Sequence, residues 1–131
     1  MKNDFTSEKV GIFGESICAK YLKKHGFKIL SKNTRINRLE MDIIATNKTH
    51  IAFVEVKTRR TDMKNTARPS AAVDISKKEN LVAFSITYSK TLPKKHSEKQ
   101  IRIDVCEILV HQEKNKLLVD DINYIENAVS R

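Results

Sequence analysis

The sequence predicts an α/β fold, a mixed β-sheet flanked by helices in the order α-β-β-β-α-β-β. Three observations carry this expectation. Two segments, 7–25 and 76–92, place apolar residues at helical spacing. Between and after them, runs rich in Ile, Val and Phe are bounded by turn residues, as strands are. The 131 residues are too few for two comfortable cores, so residues 1–131 are expected to form a single domain.

The elements follow in order. Thr6 or Ser7 can cap a first helix over 7–25, Gly26 can end it, and Val10, Phe13, Ile17, Tyr21 and Leu22 form its apolar face. A second stripe of Gly11, Glu15, Ala19 and Leu22 puts one carboxylate among small and apolar neighbours. Residues 27–30 read as a short strand and 31–38 as a basic polar segment. Two β runs, 39–46 and 50–58, flank a hairpin turn at Asn47-Lys48-Thr49. The second run is apolar until its end, as in a central buried strand. Residues 59–70 lose all periodicity and read as a mobile basic loop. The helix over 76–92 is expected to turn Leu81, Phe84, Ile86 and Tyr88 inward. A Lys-rich loop at 93–100, a strand at 101–110 and a short strand or turn at 116–119 complete the chain.

Charge narrows the partners. There are 25 Lys and Arg against 16 Asp and Glu. Residues 1–103 hold 22 basic and 10 acidic side chains, whereas residues 104–131 hold 3 and 6. A basic body of this kind suits a polyanionic partner, although a solvated Lys-rich surface has the same composition. No apolar run approaches a bilayer span, and the N-terminus lacks the apolar core of a secretory signal. The expectation is a soluble cytoplasmic protein without membrane contact. Cys18 and Cys106 sit in apolar contexts without CxxC spacing and read as buried reduced thiols.

The chemical anomaly is Glu55-Val56-Lys57 at the end of the buried run. Alternation puts Glu55 and Lys57 on one face, and such residues are seldom buried without a partner or a task. Asp42 interrupts Met41-Asp42-Ile43-Ile44 in the same way, and pairing through the 47–49 turn would bring it towards Glu55. Two carboxylates beside one ammonium suit phosphodiester hydrolysis assisted by Mg²⁺ or Mn²⁺, with the Lys orienting water or stabilising charge at phosphorus. A cross-strand ion pair between Lys57 and one acid accounts for the same spacing.

These residues carry a resemblance. Asp42, twelve intervening residues and Glu55-Val56-Lys57 match the PD-(D/E)xK signature of restriction-endonuclease-like nucleases. Glu15 resembles the helical metal-binding Glu of Holliday junction resolvases in that superfamily. The whole chain looks like the small bacterial YraN family in seven ordered blocks. These are Gly11, Gly14, Glu15, Ala19, Tyr21 and Leu22; then Asn33 and Arg35; then Glu40 to Ala45; then Phe53 to Arg59. Ala72, Val73 and Lys77, Arg102 to Val105, and Ile125, Asn127 and Ala128 complete them. One departure is Leu39, where the family usually has Gly before Glu-x-Asp. The resemblance implies a restriction-endonuclease-like fold with Glu15, Asp42, Glu55 and Lys57 in catalytic positions, the three acids serving as metal ligands.

Nucleic acid is the expected partner, double-stranded or branched DNA foremost, and a homodimer is left open. Arg35, Arg59, Arg60, Lys64, Arg68 and Lys77 are the expected phosphate contacts, giving affinity without sequence preference. Glu40 is either a further ligand or an exposed turn acid, and Asp104 reads as a structural acid at a strand edge. Three functions remain in play: a metal-dependent endonuclease, a non-catalytic nucleic-acid-binding module of the same fold, and a protein-interaction domain with structural acids.

Overall fold

The computed structural model describes residues 4–63 and 75–128. Helix α1 (Ser7–Lys24) starts where Thr6 Oγ1 accepts from Lys9 N at 3.1 Å. It stops before Gly26, whose φ of 87° suits glycine. Strands β1 (Lys28–Ile36), β2 (Leu39–Thr46) and β3 (His50–Arg60) form an antiparallel meander. The 47–49 turn is an Asx arrangement in which Asn47 Oδ1 accepts from Thr49 N (3.0 Å) and His50 N (2.8 Å). Helices α2 (Ile75–Ser89) and α3 (Lys94–Ser97) then carry the chain across to β4 (Gln100–Glu113), which runs parallel to β3. Strand β5 (Lys116–Ile125) returns antiparallel, giving the sheet order β1-β2-β3-β4-β5. This is the expected mixed sheet in the order α-β-β-β-α-β-β, with the short α3 added.

The two sheet faces hold separate cores. Val10, Cys18, Ala19 and Leu22 of α1 pack on Ile43, Ala52, Val54 and Cys106. Leu81 and Phe84 of α2 pack on Ile44, Phe53 and Val105 on the other face. The Phe53 and Phe84 rings meet edge to face, 6.3 Å apart. Cys18 and Cys106 are both free and buried. Among the described residues no helix is long and apolar enough to cross a membrane.

Several boundaries differ from the sequence reading, each for a physical reason. Residues 31–36 are strand because their backbone pairs with β2 although their side chains are polar. Arg59 and Arg60 remain in β3 because the parallel ladder to β4 continues as far as Arg60↔Val110. Strand β5 extends to Ile125, the acidic pair Asp120-Asp121 in its middle having concealed the second half. Ile86 is exposed and Ser85 is buried in its place: the inward face runs 81, 84, 85, 88, the i, i+3, i+4, i+7 spacing. Lys64, Arg68, Ala72 and Val73 lie outside the described residues.

Asp104 is no edge residue. It is fully buried on β4, between β3 and β5. Its carboxylate accepts from Arg102 Nε (3.0 Å), Tyr124 Oη (2.6 Å) and Asn127 N (2.8 Å), tying the end of β5 to the sheet. Burial and then the Asp104 charge push the Tyr124 phenol far up.

Gly14, buried in the middle of α1, sets the distance of that helix from the sheet. A Cβ on Gly14 would overlap Thr58 Oγ1 on β3, whereas Gly11 faces open space. Gly14→Ala is therefore expected to destabilise the protein by about 1–3 kcal/mol, through a helix forced off the strand. Urea unfolding of the variant, with an unchanged slope and a lower midpoint, checks this.

Candidate active site

The site lies where β2 and β3 separate. Their ladder ends at Ile43↔Val54, one pair before Asp42 would face Glu55. The Asp42 side chain takes over there, Oδ2 accepting from Val56 N at 2.8 Å. The other neighbour of β2 is irregular at the same level. Asn33, between the β1 pairs Lys32↔Ile43 and Thr34↔Met41, has a left-handed φ of 48°. The Asp42 carboxylate therefore occupies a gap that regular strands would have closed.

Glu55 is buried, 9% exposed, and its Oε1 meets Lys77 Nζ at 2.7 Å. Lys77 reaches it from the first turn of α2. Glu15 approaches from α1, lining a cleft of about 380 Å³ with Val56, Thr58 and Arg59 among its neighbours. Gly14 lets the helix carry it there. Asp42 senses the whole group. Burial above all pushes its carboxyl up to about 7, opposed by the Val56 N–H. The negative charges of Glu55 and Glu15 add to the rise and Lys77 opposes it. The fold thus gathers Glu15, Asp42 and Glu55 within electrostatic reach and adds Lys77 to them.

Lys57 is half-buried on the same face as Glu55. Its parallel register partner is Glu107, a buried carboxylate that the sequence reading passed over. Glu107 Oε1 accepts from Asn123 Nδ2 at 2.9 Å, while its buried Oε2 has no hydrogen-bond partner among the described residues. A polar row of Lys57, Glu107 and Asn123 therefore crosses three strands beside the carboxylates. Glu107 was hidden because one charge in the run 105–112 looks like ordinary strand alternation.

The expected phosphate contacts divide. Arg59 is exposed beside the Glu15 cleft. Arg60 turns inward and holds Asp62 with a two-pronged contact, both distances 2.9 Å, and so has a structural task. The same fork holds the Asp62 carboxyl well below its usual range. Arg35 pairs with Glu40 at 2.8 Å on the exposed surface, across the β1–β2 ladder and not in a turn. Lys77 stands at Glu55.

The donor set can be tested against a divalent cation. Its atoms are carboxylate oxygens, the hard ligands that Mg²⁺ and Mn²⁺ prefer. Among the described residues no three Asp, Glu, His or Cys side chains are already closed around one point. Mg²⁺, however, commonly takes only one or two carboxylates and keeps several waters. The Lys77 ammonium at Glu55 shows that a cation is favoured at this position. The residues fit the ion. Room alone does not select the site: a larger hollow of about 760 Å³ along the 112–118 hairpin holds no comparable acidic group.

Comparison with known proteins bears on the whole chain. Residues 14–108 match the family described as uncharacterised protein family UPF0102. A UPF0102 protein of Caldanaerobacter subterraneus is 40% identical over 119 residues, covering 91% of this chain and 93% of that protein. A UPF0102 protein of Syntrophomonas wolfei is 38% identical, covering 93% and 98%. Among solved structures, Pyrococcus furiosus SfsA in complex with Ca²⁺ overlaps 84% of this chain at a TM-score of 0.42 and 14% identity. The chain spans 60% of that solved chain.

Proposed function

The chain belongs to the uncharacterised protein family UPF0102, the YraN family of the seven motif blocks, and from that premise we propose that it is a divalent-metal-dependent endonuclease. Its proposed reaction is hydrolysis of DNA phosphodiester bonds, selected by structure rather than by sequence. The observation that carries this reading is the half-buried Asp42 carboxylate, fixed by the Val56 N–H and raised to about 7 beside Glu55 and Glu15. Paired acids on a rigid sheet with an ammonium on the same face suit this chemistry.

Asp42 and Glu55 would hold Mg²⁺ or Mn²⁺, with Glu15 contributing from α1. The ion would supply positive charge to the scissile phosphate and make a water more acidic. The Val56 N–H keeps the Asp42 carboxylate aimed without a change of rotamer. Lys57, on the face of Glu55, places an ammonium where negative charge develops on the phosphate oxygens. Arg59, at the rim of the Glu15 cleft, binds the backbone on either side and carries no sequence information.

Incubation with linear, nicked, flapped and four-way-junction duplexes, each with Mg²⁺, Mn²⁺ or Ca²⁺, tests the reading. Cleavage with Mg²⁺ or Mn²⁺, lost on chelation and favouring a branched substrate, is the expected result. A second reading, a binding module that has kept the fold, is favoured by one observation: Lys77 already neutralises Glu55. Tight duplex binding with no cleavage under any metal would select that reading.

A further inference from the structure

The end of the sheet away from the carboxylates carries a second charged concavity. It forms where β2 finishes at Thr46, the 47–49 turn reverses the chain, and α3 packs across the edge. The hollow is about 370 Å³, and its wall includes Lys28, Lys48, Lys95, Lys99, His96 and Thr46. No carboxylate is among the described residues that line it. Glu98 lines the adjoining hollow instead. Four ammonium groups from β1, the turn, α3 and the segment leading into β4 therefore converge on it, and three of them, Lys48, Lys95 and Lys99, also line the adjoining hollow with Glu98.

Two further observations separate this cluster from a solvated lysine surface. Lys99 is anchored, its Nζ donating to the buried Thr46 Oγ1 at 3.0 Å, so its charge is held at the wall. His96, only 8% exposed on a four-residue helix, has a buried Nδ1 with no hydrogen-bond partner among the described residues. Burial, then the charges of Lys99, Lys95 and Lys28, hold this imidazole below its ordinary range. A buried ring nitrogen without a partner among the described residues, beside converging cations, is an unfavourable arrangement that an entering anion would relieve.

We infer that the hollow walled by Lys28, Lys48, Lys95, Lys99 and His96 binds a phosphoryl group. A tetrahedral oxyanion offers several acceptors to donors arriving from different elements, which suits this wall better than a planar carboxylate does. Its place in the fold suggests the source. His50 and Glu55 are five residues apart on β3, about 16 Å at ~3.3 Å per residue. A DNA duplex, which carries one phosphate per strand every ~3.4 Å of axis, is long enough to reach both. A backbone seated at both places would be fixed in direction relative to the carboxylates. The nucleic-acid source rests on the proposed function, whereas a free phosphate does not.

The test uses the full chain and the variant Lys95→Gln/Lys99→Gln, with two probes. Inorganic phosphate is titrated while the His96 ring resonances are followed by NMR, and a duplex is titrated by fluorescence anisotropy at several salt concentrations. Phosphate is expected to shift the His96 signals in the wild type and much less in the variant. For the duplex, the slope of log affinity against log salt is expected to become shallower in the variant by about two units, one for each lysine removed. Mn²⁺ binding should be the same in both proteins. A response to phosphate alone assigns the site to free phosphate, and a change in duplex slope alone assigns it to the backbone. An unmoved His96 together with an unchanged duplex slope overturns the inference, and the proposed function then stands or falls on cleavage. Conversely, absence of any duplex binding, with His96 still responding to phosphate, removes the nucleic-acid reading and leaves the anion site.

Discussion

Asp42→Asn loses divalent-cation binding and, with it, all cleavage, while the protein stays folded. Asn keeps an oxygen that can accept from Val56 N, so the contact that shapes the separation of β2 and β3 survives. The negative charge does not survive, and a change at a direct ligand should exceed the ~10–100-fold loss of affinity that supporting residues alone produce. Wild-type affinity should depend on pH in a defined window. The Asp42 carboxyl sits at about 7 in the folded protein against an ordinary 3.8, so below pH 7 a proton competes with the ion for the same oxygens. Mn²⁺ affinity should therefore fall as pH drops from 8 to 6, by roughly tenfold per unit once Asp42 is mostly protonated. The metal-free stability runs the opposite way in sign. A raised carboxyl favours folding fully below pH 4, and that contribution disappears as pH rises through 7. Calorimetric Mn²⁺ titrations at three pH values, on wild type and Asp42→Asn, measure the effect. Equal binding by the two proteins would leave the acids as a structural ion-pair group with Lys77.

The central sheet and the carboxylates were readable in the sequence for one reason: charged residues in apolar strands stand out. Asp42, Glu55 and Lys57 interrupt runs of Ile and Val, and alternation alone puts Glu55 and Lys57 on one face. Glu15 was visible as a carboxylate among small residues, but its neighbour Gly14, the residue that brings the helix close to Thr58, was not separable from Gly11 without the packing. Elements whose signal is backbone pairing were foreshortened. The second half of β1 is largely polar and the pair Asp120-Asp121 interrupts β5, and only the ladders to β2 and β4 reveal the full strands. Buried polar residues in polar surroundings were the least legible. His96 lies in a Lys-rich stretch that reads as solvated, and only three-dimensional packing shows it to be covered. Glu107 was missed similarly, since its meaning comes from sharing a register with Lys57 on a strand some fifty residues away.

Lys57→Ala separates chemistry from binding. The side chain lies on the face of Glu55, so its removal should leave backbone contacts made elsewhere intact and lower the cleavage rate by roughly 10²–10³-fold, the usual effect of removing one group that stabilises developing charge. Duplex affinity measured in Ca²⁺, which suppresses turnover, should stay near that of the wild type. Arg59→Ala should do the reverse. Its exposed guanidinium can be lost with the rate at saturation preserved, while affinity weakens and the salt slope becomes shallower by about one unit. Arg60→Ala belongs to neither class, because Arg60 holds Asp62, and the Asp62 carboxylate also accepts from Gln112 N on β4. That variant should lower the melting temperature, with little change in salt slope. A structural role for Lys57 predicts a different pattern, in which Lys57→Ala loses thermal stability along with affinity and rate. A rate that falls alone, in a protein that melts normally and binds DNA normally, requires that the ammonium act on the phosphate in the transition state and not on the ground-state complex.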